Sequence, residues 1–449
     1  MRSKSGTHRS IGAALTAATC GLIGIHTDTA LGKGKAGEWD IDTAVLFYSE
    51  ADSRVQAVEP VVNATKNVDE ERKWNIKVLA DALTGASPNG ATPSENVQTF
   101  TRPSGNGHYN VSPAEQPLDD TFHDTRGSVS TSWSAPIDRD YAYSVGVYGS
   151  KEYDYTSMGV NGSVSRYLNN KNTTLNVGLS SSIDLINPEG GIPVPFTAMV
   201  HRESLSEEDF VPAFAATRES SDDTKTLVDI LLGVTQVINR QTLMQFNYSL
   251  SLSSGYMTDP FKVLSVIDDR AGDNYGGNLQ DAHGDNLYLY EARPDSRMKH
   301  ALFWQTKYML GNGDVLDGSY RFMLDDWGIN SHTLELKYRW NMGGSYLEPH
   351  VRYYMQSQAD FYKRYLTATE YSNGSPMITE ASADYRLGEM TSGTLGVKWG
   401  YALSSDQELS VRAEYMKQMS SGQSGFGKLA SQELYPDTDA FWVQFSYNF

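Results

Sequence analysis

After about residue 40, apolar and polar side chains alternate almost one for one in segments of about ten residues. A strand turns successive side chains to opposite faces, so this pattern gives each segment one greasy face and one wet face. The last nine residues show it plainly. Phe441, Val443, Phe445, Tyr447 and Phe449 fall on one face, and Trp442, Gln444, Ser446 and Asn448 on the other. In water such a strand is an aggregation hazard. As the closing strand of a barrel in a bilayer, apolar toward lipid and polar toward the lumen, it is stable.

Sixteen segments of this kind can be counted: 41–50, 55–64, 74–83, 126–133, 141–150, 157–166, 172–184, 227–237, 241–253, 298–310, 314–324, 333–340, 346–357, 394–401, 408–416 and the closing strand. The connections sort themselves. With the first strand running outward, 66–72, 135–139, 168–171, 238–240, 311–313, 342–345 and 403–406 are all short and lie on the periplasmic side. The long connections, 84–124, 187–224, 255–295, 358–389 and 419–438, then all lie outside. The predicted fold is therefore all-β: a transmembrane antiparallel up-and-down β-barrel of about 16 strands, spanning 39–449, with both termini periplasmic. A barrel of this size has room for an aqueous channel unless loops enter it. The 84–124 loop, with Gly85, Pro88, Gly90, Pro93, Pro103 and Gly105, reads as irregular. It is either an inward constriction or a surface loop.

Composition agrees with a barrel and excludes helical spans. There are 27 Tyr, 8 Trp and 39 Gly at a mean hydropathy of −0.46, yet after the N-terminus no apolar run approaches the roughly 20 residues a spanning helix needs. At the N-terminus, Arg2, Lys4 and Arg9 precede an apolar stretch from Ile11 to Ile25, the pattern of an export signal over 1–30 with cleavage between 26 and 36. Cys20 lies inside it, so the mature chain holds no thiol for disulfides, metal or nucleophilic catalysis. Removing 1–30 takes away three positive charges and one negative, and the formal charge of −18 becomes −20. That acidity excludes nucleic acid as a partner.

Alternation also assigns the inner wall. Lys299, Lys307, Arg321, Lys337, Arg339, Glu348, Arg352, Lys398 and Arg412 are expected to line the lumen in the later strands, with Asp317, Glu335, Glu408 and Glu414 among them. The first eight strands contribute chiefly Asp42, Glu59, Asp81, Asp184 and Asp229, with Lys77. A basic wall facing an acidic one orients small polar solutes; opposite charges on adjacent strands also simply stabilise a wet interior. In the outer loop after Val266, Asp268, Asp269, Asp273, Asp281, His283 and Asp285 supply the hard oxygen ligands calcium prefers, and Asp268, Asp269, Asp273 and Asp285 are the calcium candidates. Their spacing is not that of an EF-hand. No Ser–His–acid or Asp–His constellation assembles, so neither an enzyme nor a cofactor is expected.

Several unusual stretches occur at outer strand ends and loops: LTGASPNGA at 83–91, KEYDYTS at 151–157, SSGYMTDP at 253–260, RPDSR at 293–297, DDWG at 325–328, and EPH at 348–350 followed by RYY at 352–354. On these the chain resembles, over nearly its whole mature length, the bacterial outer-membrane family catalogued as domain of unknown function 3570. The resemblance implies a barrel in a Gram-negative outer membrane, in contact with lipid and lipopolysaccharide and inserted by the barrel assembly machinery through the Phe449 strand. It implies no activity, and it hints at a periplasmic protein partner in a redox or maturation system. The same stretches make Asn89, Tyr153, Tyr155, Asp259, Arg293, Arg297, Asp326 and Trp327 a candidate extracellular rim. Two functions remain: a porin-like channel for small polar solutes, or a plugged barrel acting as scaffold or conduit for a partner.

Overall fold

The computed structural model describes residues 36–449 apart from 52–53 and 373–374; the export signal expected at 1–30 lies outside the described residues. Sixteen strands follow one another around a ring. They are β1 (Trp39–Glu50), β2 (Val55–Asn67), β3 (Lys73–Pro88), β4 (Leu118–Pro136), β5 (Tyr141–Lys151), β6 (Tyr155–Leu168), β7 (Thr173–Ile186) and β8 (Asp223–Val237). The second half comprises β9 (Thr242–Gly255), β10 (Ser296–Met309), β11 (Val315–Asp325), β12 (Asn330–Asn341), β13 (Ser345–Gln356), β14 (Glu389–Ala402), β15 (Glu408–Ser421) and β16 (Thr438–Asn448). Each pairs antiparallel with its neighbours in sequence. The ring closes through β1 and β16, in register from Asp42 opposite Asn448 to Glu50 opposite Ala440. A closed ring leaves no unpaired strand edge, which is the condition for crossing hydrocarbon with strands. Among the described residues no helix is long and apolar enough to cross a membrane.

The two-residue period explains the wall. Leu334, Leu395, Val160 and Phe445 are each about half exposed or more, an arrangement suited to lipid, while their strand neighbours turn polar groups inward. Near the end that carries both termini, Trp39, Trp74, Trp340, Trp399 and Tyr401 stand on the outer face as an aromatic belt. Trp39 and Trp74 lie 6.0 Å apart between centroids, as do the stacked rings of Trp399 and Tyr401.

Tight turns at that end come from side chains that imitate a backbone turn. Asp69 accepts from the amides of Glu71 and Arg72, Asp138 from those of Asp140 and Tyr141, and Asn239 from those of Gln241 and Thr242, all at 2.7–3.0 Å. All five long connections lie at the opposite end, as expected from the sequence. Several strands run longer than expected, and the largest change is at β3 and β4: β3 runs to Pro88 and β4 begins at Leu118, so the connection expected over 84–124 is 89–117.

Candidate functional site: the lumen and its roof

The five long connections do not hang free. Residues 89–117 form a hairpin (Gln98–Thr101 with His108–Val111), and 256–295 and 357–388 share a three-stranded sheet in which Val263–Ile267 pairs with Tyr288–Tyr290 and Leu366–Thr367. The 187–222 connection carries a single helix, α1 (Glu207–Ala216), capped by Ser206, whose side chain accepts from the amide of Asp209. These pieces interlock around an apolar core of Phe100, Tyr109, Val263, Tyr288 and Tyr290. A second cluster holds Leu264, Val266, Leu289, Leu366 and Ala383. Tyr288, Leu289, Leu264 and Leu366 have no exposed surface, which is the burial of a folded domain.

The position of this domain follows from the ring. The β3–β4 and β9–β10 connections arise six strands apart in a ring of sixteen, and β13–β14 lies four strands further on. Contacts among the three therefore pass over the mouth. Val263 N–H donates to Asn89 O at 2.8 Å, and Lys262 Nζ donates to Pro88 O at 2.5 Å. The buried Arg364 guanidinium reaches Gly90 O (2.7 Å), Ala91 O (3.2 Å) and Leu434 O (2.9 Å), joining three loops. Gly90 sits at φ +95°, and a Cβ there would meet Val263 O at 2.4 Å, so only glycine permits the crossing. Along the seam with β2, β15 and β16, roof residues Tyr385 and Arg364 and wall residues Arg54, Ser420 and Thr438 enclose only about 30 Å³.

A charged knot lies inside the roof. Arg386 binds Asp384 (Nε–Oδ1 2.9 Å) and Asp259 (2.7 Å), while Arg293 binds Asp384 (2.8 Å) and Glu291 (2.6 Å). Burial alone would raise the Asp384 carboxyl, but Arg386 and Arg293 outweigh it and hold it well below the usual range. Burial also works to raise Asp259, and the charges of Lys262, Arg386 and Arg293 hold it low. Glu291 goes the other way. Burial dominates, Arg293 opposes it only in part, and Asp259 and Asp384 add repulsion, so its carboxyl is pushed up to about 7.

Below the roof, parity places Lys299, Lys307, Arg321, Lys337, Arg339, Glu348, Arg352, Lys398, Arg412 and Asp229 on the inner face, opposite in sense to exposed Leu302, Leu316, Leu336, Val351, Val397, Leu409 and Leu232. Most are paired: across strands in Lys307–Asp317 at 3.3 Å, Arg339–Glu348 at 2.8 Å and Lys398–Glu408 at 3.8 Å, and along one strand in Lys337–Glu335 at 2.6 Å and Arg412–Glu414 at 3.7 Å. His350, which the sequence places between Glu348 and Arg352, instead bridges Glu335 (2.9 Å) and Glu414 (3.0 Å) on other strands. The wall of the first eight strands is less acidic than expected. Arg126 pairs with Asp81 at 2.5 Å and Lys225 with Asp184 at 3.2 Å. Lys225 lies on the length by which β8 exceeds the predicted strand.

The eight candidate rim residues separate. Asp259 and Arg293 meet in the charged knot. Asn89 is buried, donating to Tyr109 Oη at 2.9 Å and accepting from Ala91 N–H at 2.9 Å. Arg297 binds Asp325 (Nε–Oδ2 2.8 Å) and lies 4.3 Å over the ring of buried Trp327, while Asp326 accepts from Met298 N–H at 2.9 Å. Tyr155 turns inward to Asp184, and Tyr153 stands 77 % exposed. Of the calcium candidates, Asp268 is held bidentate by Arg270 (2.8 and 2.9 Å) and Asp269 caps Thr369 N–H at 3.1 Å. Among the described residues no three acids or histidines are grouped to hold a metal ion. Sequence reasoning passed over Arg364, Lys262, Glu291, Asp384 and Arg386. The run Val263–Ile267, apolar except for Ser265, was the one local sign of a buried strand inside a long connection.

A closed strand ring, an apolar outer belt and a charged inner wall define a transmembrane β-barrel of the outer-membrane class, here with a folded roof. The chain belongs to the family described as protein of unknown function DUF3570, whose model matches residues 12–449. No curated protein matches it in sequence. Similar solved structures include a bacterial polysaccharide outer membrane secretin, at 8% identity and TM-score 0.42, covering 92% of this chain and 98% of that one. Another is the siderophore receptor PirA from Acinetobacter baumannii, at 8% identity and TM-score 0.40, with 91% of this chain matched to only 58% of the receptor. A third is the outer membrane protein OpdK from Pseudomonas aeruginosa, at 8% identity and TM-score 0.36, covering 92% and 98%.

Proposed function

We propose that this protein is a roofed, porin-like channel that passes small polar solutes across the outer membrane, with the turns and both termini periplasmic and the roof outside. The observation that carries it is the wetness of the inner wall below the roof. Lys307, Arg339 and Arg412 keep 48%, 37% and 33% of their side-chain surface exposed while pointing into the ring. Charges so placed are at home in water and costly in a dry plug. The roof restricts the opening, so the expected solutes are small. Swelling of proteoliposomes in solutes of graded size tests this. Fast swelling in the smallest polar solutes with a sharp size cut-off supports it, and no swelling in any solute would sink it.

A second reading rests on the roof itself. Its core is packed like a folded domain and clasps three loops across the mouth through Arg364. A barrel closed in this way acts as scaffold or conduit for a protein partner. Silence in the swelling test together with a stable complex would favour it.

A further inference from the structure

Among the described inward cations on β9 to β16, three differ from the rest. Lys307, Lys337, Arg339, Lys398 and Arg412 each have a carboxylate within 4 Å. Among the described residues no carboxylate ion-pairs with Lys299 on β10, Arg321 on β11 or Arg352 on β13. The reason is local in each case. Lys299 stands opposite Asp325, but Asp325 is already bound by Arg297 and accepts the amides of Trp327 and Ile329 at 3.1 and 2.8 Å. Arg352 stands opposite Glu335, but Glu335 is taken by Lys337 and His350. Arg321 has only Phe303 and Thr333 across from it. The nearby Asp229 accepts the Ser180 hydroxyl at 3.1 Å.

The three descend the same stretch of wall. Lys299 is level with Asp325 at the top of β11, Arg321 is four residues below on the same strand, and Arg352 lies two residues below the position level with Arg321 on β13. Neighbouring strands are about 5 Å apart and residues rise about 3.3 Å each, so the steps span roughly 10–15 Å. Arg321 is exposed, and Lys299 and Arg352 are half-buried. Lys299 feels the carboxylates of Asp229 and Asp325 as well as the charges of Arg297 and Arg321, but neither carboxylate is within ion-pair distance, and Arg321 feels the charge of Arg352. Opposed charges satisfy one another elsewhere on the wall. Here three like charges line one stretch of wall with no carboxylate in ion-pair contact, which leaves their hydrogen-bonding groups available to an anion.

We propose that Lys299, Arg321 and Arg352 form a binding track beneath the roof for a small solute carrying more than one carboxylate or phosphate group. The planar Arg forks grip oxyanions in two-point fashion, and Lys299 supplies a point charge at the upper step. This rests on the channel reading for how the solute arrives, and not for the binding itself.

The test pairs calorimetry with planar-bilayer recording on the purified, heat-modifiable full-length barrel, using inorganic phosphate and citrate as probes. Saturable binding that falls at least tenfold in Arg321→Gln/Arg352→Gln supports the proposal, provided it is unchanged in Lys417→Gln, whose cation pairs with Asp437 on the outer side. Citrate binding more tightly than phosphate assigns carboxylates, and the reverse order assigns phosphates. Binding without conductance keeps the track and ends the channel reading. Conductance with no binding, and with an ion preference that the double variant does not change, overturns the track and leaves the channel standing. Arg321→Lys/Arg352→Lys keeps the charge where the glutamine pair fails to fold; binding retained at reduced affinity supports the track, and unchanged affinity removes the role given to the Arg forks.

Discussion

The backbone N–H of Val263 donates to the carbonyl of Asn89 at 2.8 Å, joining two loops that rise six strands apart on the ring. A hydrogen bond between these two residues means that the chain crosses the mouth of the barrel. It lies beside Gly90 and next to the Lys262–Pro88 contact, so a backbone hydrogen bond and a buried lysine side chain make the crossing together. The roof is therefore a defined, packed structure.

Arg364 is expected to hold the roof together. Arg364→Met leaves the carbonyls of Gly90, Ala91 and Leu434 without their donor in a buried place, at about 1–3 kcal/mol each. Hydrogen exchange should speed up in 89–117 and 422–437 while the strands keep their protection. Equal protection in the variant would show that the roof does not depend on this clasp.

The charged knot makes the roof sensitive to pH in a particular direction. The Glu291 carboxyl is raised from 4.5 to about 7, so its contribution to stability is fully present below about pH 4.5 and is lost as pH rises through 7. Asp384 is held low, so its contribution is present above its ordinary 3.8 and is lost only in strong acid. Between pH 5 and 8 Glu291 therefore governs. The free energy of roof opening, from exchange rates corrected for intrinsic pH effects, should fall across that range and become flat in Glu291→Gln. A rise with pH would contradict the assignment.

A ring packed on glycine braces the lower wall. Tyr346 lies against Gly400 so closely that a Cβ there would fall 2.3 Å from the ring, and Tyr346 Oη donates to Glu408 at 2.6 Å beneath Arg339, 4.0 Å above the ring. Gly400→Ala should destabilise the barrel by about 1–3 kcal/mol in urea unfolding, the usual cost of overpacking. Because the clash is with one ring, Gly400→Ala/Tyr346→Ala should lose less than the two single changes together. Strict additivity would remove the brace.

The wall was legible in the sequence because one short-range rule specifies it. Phe441 to Phe449 or Leu334 to Trp340 reveal their faces by alternation alone, and the turns by residues such as Asp138 and Asn239. The lumen charges followed from the same parity, but not their partners: His350 reaches Glu414 two strands away, which no local pattern signals. The roof was hidden for the same reason. Its core joins Phe100, Tyr288 and Leu366, far apart in sequence, through strands of two to five residues that are too short to show a period. Loop 84–124 looked irregular on its own, and its order comes from the loops it meets.

Single-channel conductance of the full-length protein, recorded beside a variant in which 90–116 is replaced by a short Gly–Ser link, tests the central claim most directly. A roofed channel predicts small, discrete steps for the native protein and several-fold larger steps for the variant. Silence from both, with each barrel folded and heat-modifiable, would contradict the claim that a wet lumen lies beneath the roof.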